Sequence, residues 1–289
     1  MIELGLEFKK KRKTDMKEDN FLSGRIEDNI SKCRNKYIVT STGFLDQHQQ
    51  SLARTYCRKN FVPVFDECPA YGEHKESSDE WEMKEYPPAR TVFYGGYEDA
   101  ERVIMINLPD YATIEQDNPL TVLRVTKTPG GKELTHRDYL GALLGLGLKR
   151  DSFGDILVRE DGADIIALKE IADFVLMNYV QVGRTSISVT EFPIGELIIP
   201  EVKRREIVDT VASLRLDNVV SSAFGLSRGK SSEAISRGLV FVNHVQIMKA
   251  DYQIKEEDKI VLRGKGKACL REIRGKSRKD RQYIVLEIY

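Results

Sequence analysis

Side chains able to grip an anion crowd one stretch of this chain, Arg215 to Arg263. The segment RLDNVVSSAFGLSRGKSSEAISRGLVFVNHVQ predicts a short helix stopping near Gly225. It also predicts a second helix capped by Ser227, with Arg228, Lys230 and Ser231 in its first turn. Gly238 can take the left-handed conformation that ends that helix. LVFVNHVQIM then reads as strand, turn and strand, with Asn243-His244 at the turn. The N–H groups of a helix start, a hydroxyl and several cations on one corner suit a phosphate backbone. On this reading Arg215, Arg228 and Lys230 supply charge, and Ser227 and Ser231 sit at the helix start. Asn243 and His244 meet sugar or base edges, and strand alternation sets Arg263, Lys265 and Lys267 on one face as a continuing track.

Covalent chemistry finds weaker support. Arg215-Leu216-Asp217 matches the catalytic triplet of pseudouridine synthases, but NVVSSAF and a capped helix follow it where those enzymes have a Thr-Ser-Gly segment. Leu216 is expected to pack inward, with Arg215 and Asp217 on the exposed side of a helix start. His136-Arg137-Asp138 mimics a kinase catalytic loop, yet Leu143 stands where a metal-binding Asn is needed. These three residues read as the first polar turn of a helix, with Asp138 near its positive end. Gly141, Gly145 and Gly147 lie within or at the end of a helix, not between a strand and a helix start. GKGK (264–267) lacks the full phosphate-loop spacing. His48, His74, His136 and His244 are the only histidines, and none pairs with another at metal-ligand spacing. No serine lies in GxSxG. No catalytic residue, metal ligand or cofactor is expected.

The elements that hold the basic corner belong to a longer chain of 289 residues, enough for two or three domains. Net charge is zero, but Val211 to Tyr289 holds 16 Lys+Arg against 9 Asp+Glu, so one end can hold a polyanion. No apolar run approaches membrane-spanning length, and the start MIELGLEFKKKRK is too polar for a secretory signal. A cytoplasmic protein is expected. Cys33, Cys57, Cys68 and Cys269 form no CxxC and read as reduced, structural thiols.

Residues 1–88 read as a helical region. FLSGRIEDNISKCRNKY carries apolar residues at helical spacing, TSTGFLD is a loop, and Asp46 caps the helix QHQQSLARTYCRK. Lys9–Lys13 reads as a solvated helix face or a phosphate-contacting arm. The acidic stretch 66–88 reads as a loop or linker. Residues 89–200 form the middle domain. From Leu120 the expected order is strand 120–126, helix 136–148, strands 155–158 and 164–168, helix 169–180 and strand 185–190. That is the ferredoxin-like split unit of RNA-recognition domains, a sheet with helices on one face and the other face open. Its inner strands carry Leu157, Val158, Ile165 and Ile166 and no paired aromatics, which favours protein contact or backbone-only RNA contact. Residues 211–289 form the third domain, preceded by a strand after Pro200. It closes on strands LREI and YIVLEIY around the loop RGKSRKDRQ.

The segment SRGKSSEAISRGLVFVNH resembles the small RNA-binding domain first seen in ribosomal protein S4. The residues that carry the likeness are Ser227-Arg228, Gly238, Val240-Phe241-Val242-Asn243, Asp258, Ile260 and Gly264. The chain departs from it at Gly229, where many members have serine, and at His244, where many have glycine. FLD (44–46), FYGGYEDAER (93–102), LTHRDYLGALLGLGLKRDSFGDILV (134–158) and SLRLD (213–217) are similar to YlmH-type bacterial proteins. The resemblance implies a helical N-terminal part, an RRM-like middle domain and a C-terminal S4-type domain. It also implies a non-enzymatic role on structured RNA, linked to quality control on the large ribosomal subunit.

The expected fold class is α+β, with those three parts in that order. The expected function is binding of rRNA or tRNA without catalysis, with neither DNA nor membrane as partner. The competing readings are an RNA-modifying enzyme and a protein–protein adaptor in cell division.

Overall fold

The computed structural model describes residues 2–65, 89–128, 130, 133–201 and 204–289, with side chains of the first helix described from Asp19 onward. The acidic stretch 66–88, with Cys68 and His74, and the side chains of Lys9–Lys13 therefore lie outside the described residues. The chain divides into two compact units, Met1–Pro200 and Glu201–Tyr289.

The first unit opens with α1 (Ile2–Lys36). Leu22, Ile26, Ile30 and Cys33 recur on one face of it and are buried, the spacing of an amphipathic helix. After β1 (Thr40–Ser41) comes α2 (Gln47–Lys59), closed by a reciprocal capping box. Asp46 Oδ1 accepts from Gln49 N, and Gln49 Oε1 accepts from Asp46 N, both at 2.9 Å. Strands β2 (Val64–Phe65), β3 (Ala89–Tyr94) and β4 (Ile104–Pro109) complete a sheet of order β1-β4-β3-β2. Thr40–Ser41, read from sequence as loop, pair with Asn107 and Ile106. This sheet also spans the boundary drawn at residue 88, because β2 pairs in parallel with β3.

The rest of the unit runs α3 (Ile114–Asp117), β5 (Leu120–Lys127), α4 (His136–Gly145), β6 (Phe153–Val158), β7 (Gly162–Leu168), α5 (Ala172–Asn178), β8 (Gln181–Val182) and β9 (Thr185–Phe192). The sheet order β6-β7-β5-β9-β8 is that of the split unit, with β8 added at one edge. α4 starts as the sequence indicated. Asp138 Oδ2 accepts from both the N–H and the hydroxyl of Thr135, each at 2.7 Å.

One face of this sheet packs Leu123, Val125, Ile165 and Ala167 against Tyr139, Leu143 and Val175 of α4 and α5. The other face was expected to stay open, and it does not. Leu120, Val122, Ile166 and Leu168 pack against Val92, Tyr94, Ile104, Ile106 and Leu108 of the first sheet, with Phe44 and Ile194. Strand alternation explains both cores. The opposite side of the first sheet, through Phe93 and Met105, packs on α1 and α2. The layers therefore run helices, sheet, sheet, helices, and all seven residues of β7 are buried.

Polar contacts join the layers where the family-like segments meet. Arg102 donates to Phe44 O at 2.8 Å and to Phe153 O at 3.3 Å. Asp155 accepts from Tyr97 Oη at 2.8 Å, Glu101 N at 2.6 Å and Arg102 N at 3.1 Å. Arg150 also donates to Phe153 O, at 2.6 Å; burial and the neighbouring Arg102 push its pKa down to about 10.

In the second unit β10 (Arg205–Val211), α6 (Leu216–Phe224), α7 (Arg228–Ser236), β11 (Val240–Val242), β12 (Val245–Gln246), β13 (Lys259–Leu262), β14 (Gly266–Lys276) and β15 (Gln282–Ile288) form a helix pair on an antiparallel sheet. Strand order is β10-β15-β14-β13-β11-β12. Leu216, Val219, Val220, Ala223 and Ile235 of the helices pack on Val240, Val242, Ile260, Leu262, Leu270, Ile284 and Leu286. β14 runs to Lys276, so the terminal loop is shorter than RGKSRKDRQ and most of that segment is strand and tight turn.

Candidate nucleic-acid interface

The corner begins where α6 ends. Gly225 has φ +60°, a left-handed conformation that stops the helix and lets the chain turn into α7. Ser227 then caps α7. Its Oγ accepts from Lys230 N at 3.4 Å and its carbonyl from Ser231 N at 2.9 Å. This leaves the Arg228 and Gly229 N–H groups at an exposed helix end, where the helix dipole adds positive potential. An added Cβ at Gly229 would meet open space, so the backbone there is freely approachable.

Arg228 is held in place from behind. Its Nε donates to Asn218 Oδ1 at 2.7 Å, and its Nη2 donates to the same oxygen. Asn218 is buried and donates in turn to Ser213 O at 3.2 Å and Ser213 Oγ at 2.9 Å. A neutral amide thus orients the guanidinium without a hydrogen-bonded carboxylate, and Asp217 acts on its charge only at longer range. Lys230 stands exposed on the same turn. Ser231 does not share that surface. It is fully buried and donates its hydroxyl to Ser227 O at 3.2 Å, because position 231 faces the core when 227 caps the helix.

Arg215 lies at the start of α6 but pairs with Asp217 through two hydrogen bonds of 3.0 and 3.1 Å. Asp217 was expected on the exposed side of the helix; it is 8% exposed. Burial opposes its ionisation, but hydrogen bonds from Arg215 and the charges of Arg215 and Arg228 outweigh this and lower its pKa. Tyr252 O and Ala250 O accept from Leu216 N and Asp217 N, at 2.8 and 3.1 Å, so this helix end is already occupied. Of the two helix starts, that of α7 is the exposed one.

The β11–β12 turn is Asn243-His244, with φ +47° and +64°. Both residues are left-handed, as a two-residue turn of this hand requires. The Asn243 side chain, expected at an RNA edge, is committed to the fold. It donates to Asp258 Oδ1 at 2.8 Å and accepts from Lys259 N at 2.9 Å, which ties the turn to β13. His244 is half-buried at the turn. Arg263 and Lys265 are not on one strand face with Lys267. Gly264 and Gly266 both have positive φ, so residues 263–265 form the β13–β14 turn, with Arg263 and Lys265 exposed on it and Lys267 half-buried in β14.

The basic tail is more neutral than its sequence indicated. Arg271 pairs with Glu287 at 2.5 Å and Glu257 at 2.6 Å, Arg274 with Glu272 at 2.9 Å, and Lys276 with Asp280 at 2.8 Å. The Glu287 hydrogen bond, with a smaller push from Glu257, raises the Arg271 pKa against burial. Arg281 instead donates to Thr210 Oγ1 at 3.0 Å and to Thr210 O.

The first unit offers no comparable surface on its central sheet. Arg124 and Arg159 converge on Asp164, a fully buried carboxylate. Arg124 donates two hydrogen bonds to it at 2.9 Å, and Ile198 N donates a third at 2.9 Å. Arg124 also donates to Glu196 O at 2.6 Å and stacks 4.3 Å from the Phe192 ring. The segment 194–198 is thereby strapped across the sheet beside the first sheet's cover. Among the described residues no group of three or more His, Cys, Asp or Glu side chains stands close enough to hold a metal ion. Nor is any described helix long and apolar enough to cross a membrane.

A helix-pair corner on an antiparallel sheet, with guanidinium and ammonium groups around an exposed helix start, defines a class: small RNA-binding modules. Residues 214–260 match the family described as "S4 domain", and residues 115–196 match "Putative RNA-binding domain in YlmH". Over 197 residues, 68% of this chain and 77% of the relative, the sequence is 38% identical to "Ribosome-associated protein quality control protein P2" of Bacillus subtilis (strain 168). The chain belongs to the YlmH family. It is also similar to the solved structure of cell division protein ylmH from Streptococcus pneumoniae, with TM-score 0.43 and 23% identity over 63% of this chain and 94% of that one.

Asn218 escaped the reading of the sequence. Asn218 directly follows the Arg-Leu-Asp triplet and could have been flagged as a buried polar residue on an amphipathic helix. Arg281 stood out only as one of the basic run at the carboxyl end, since the β10–β15 pairing alone brings it to Thr210.

Proposed function

We propose that the protein is a cytoplasmic, ribosome-associated RNA-binding protein without catalysis of its own, acting in translation quality control. Its C-terminal unit grips rRNA or tRNA phosphates at the α7 corner. The observation that carries this reading is Arg228, exposed and aimed by a neutral partner beside the open end of α7. The ribosomal setting rests on the name of the Bacillus subtilis relative. Arg228 and Lys230 contact phosphates, assisted by the Arg228 and Gly229 N–H groups. Arg263, Lys265 and Lys267 extend the track. Arg215 serves it less directly, through Asp217, and Ser231 and Asn243 support the fold beneath it.

Contacts to roughly six phosphates make affinity fall about a thousandfold between 50 and 200 mM salt. The test is fluorescence anisotropy with ribosomal RNA fragments across a salt series. Arg228→Ala combined with Lys230→Ala is expected to weaken binding at least tenfold and to flatten the salt slope by about two contacts. An unchanged slope and affinity in the double variant would remove this surface from the account.

A further inference from the structure

Beside the α7 corner lies a groove of about 450 Å³, lined by β10, α6, the start of α7 and the β14–β15 turn. Part of it, from Asp209 to Ala212 and at Arg281, falls outside the 214–260 match, so the S4 module alone does not build it. Its chemistry comes from Arg228, Arg281, Ser221, Ser222, Thr210 and Asp209.

The two guanidiniums differ from their neighbours in how they are held. Arg271 and Arg274 face carboxylates. Arg228 is fixed by the Asn218 amide and Arg281 by the Thr210 hydroxyl and carbonyl, all uncharged. Neither is hydrogen-bonded to a carboxylate, and both keep remaining N–H donors at the groove. Asp209 is the opposite case, a carboxylate held only by uncharged donors. Ser222 Oγ donates to it at 2.5 Å and Thr210 N at 2.7 Å. Ionised carboxylates only accept, and two occupied positions leave about two lone-pair sites. A phosphate is drawn to the arginines and repelled by Asp209, whereas a hydroxyl or amino group is welcomed there. The volume falls within the range of pockets for small molecules.

We propose that this groove receives one unstacked nucleotide of the bound RNA, its phosphate between Arg228 and Arg281 and its ribose 2′-hydroxyl donating to Asp209. The proposal rests on the RNA reading of the corner and adds a means of telling RNA from DNA, since only RNA carries that hydroxyl.

The test uses the full chain and two fluorescent probes: a stem-loop RNA with a single-stranded tail and a DNA of the same sequence. Wild-type protein is expected to favour RNA about tenfold. Asp209→Ala is expected to erase that preference by weakening RNA binding alone. Arg281→Ala is expected to weaken both probes about tenfold. Arg281 also pins the β14–β15 turn, so Arg281→Gln, which keeps a donor for Thr210 while losing the charge, is the companion variant. If the Asp209 and Arg281 variants bind both probes as wild type does while the Arg228/Lys230 double variant loses binding, the groove proposal falls and the corner stands. Preserved RNA preference in Asp209→Ala overturns the role of the 2′-hydroxyl. Failure of wild-type protein to bind either probe overturns the corner reading and the groove together.

Discussion

The two units each contain a module matched to RNA binding, yet they spend their polar and apolar residues in opposite ways. The sheet of β5–β9 has both faces engaged: helices cover one, and a second sheet together with the 194–198 strap covers the other. Its arginines Arg124 and Arg159 are turned onto the buried carboxylate of Asp164. The C-terminal unit covers one face of its sheet with two short helices and leaves the start of the second helix open, with Arg228 aimed by a neutral amide. The same side-chain type thus cements structure in one place and stays available in the other. What decides is the partner: a charged carboxylate cancels the guanidinium, whereas an amide only orients it.

Two substitutions sharpen this contrast. The larger effect is expected at Asp164. Removing one member of a buried ionic cluster costs about 3–5 kcal/mol, because the partners left behind are uncompensated. Asp164→Ala should lower the melting transition of the first unit by calorimetry while RNA affinity, measured where both proteins are folded, stays within about twofold. A large loss of RNA affinity in this variant would mean that the sheet takes part in binding. The same carboxylate sets a pH dependence. Burial opposes its ionisation, but Arg124, the Ile198 N–H and Arg159 outweigh it, so its folded pKa lies below the ordinary value. The stability it supplies is therefore complete above the unfolded value of about 3.9 and is lost as pH falls through the folded one. Acid melts of wild type and Asp164→Ala should converge at low pH.

A smaller effect is expected at His244. A non-glycine residue at φ +64° is strained, and glycine there relieves about 0.5–1 kcal/mol. His244→Gly should raise the stability of the C-terminal unit. If the imidazole also meets RNA, affinity falls a few-fold at the same time; a stabilised variant with undiminished affinity reduces His244 to a turn residue.

Local patterns carried most of the C-terminal unit. The cap at Ser227, the stops at Gly225 and Gly238 and the Asn243-His244 turn depend on residues a few positions apart, and all were legible in sequence. Individual roles were less so. Ser231 and Asn243 are polar in sequence and structural in the fold, because neither side-chain direction nor a partner at Asp258 follows from composition. In sequence only Glu272 and Asp280 offset the charge run at the carboxyl end, and Glu257 and Glu287 reach Arg271 only through the fold. In the first unit the strand order from Leu120 was legible, but its cover was not. Short strands such as Thr40–Ser41 have no periodicity, and β1 pairs with β4 across dozens of residues. The apolar identity of Val122 and Ile166, with no aromatics to stack bases, was the one available hint that this face is buried.

On the proposed function, RNA is held by the C-terminal corner and not by the sheet of the first unit. Photo-crosslinking the full-length protein to ribosomal RNA and mapping the attached peptides tests it most directly. Crosslinks are expected at residues 227–230, 263–267 and 281. Crosslinks concentrated in strands 120–127 and 162–168, with none at α7, would contradict it.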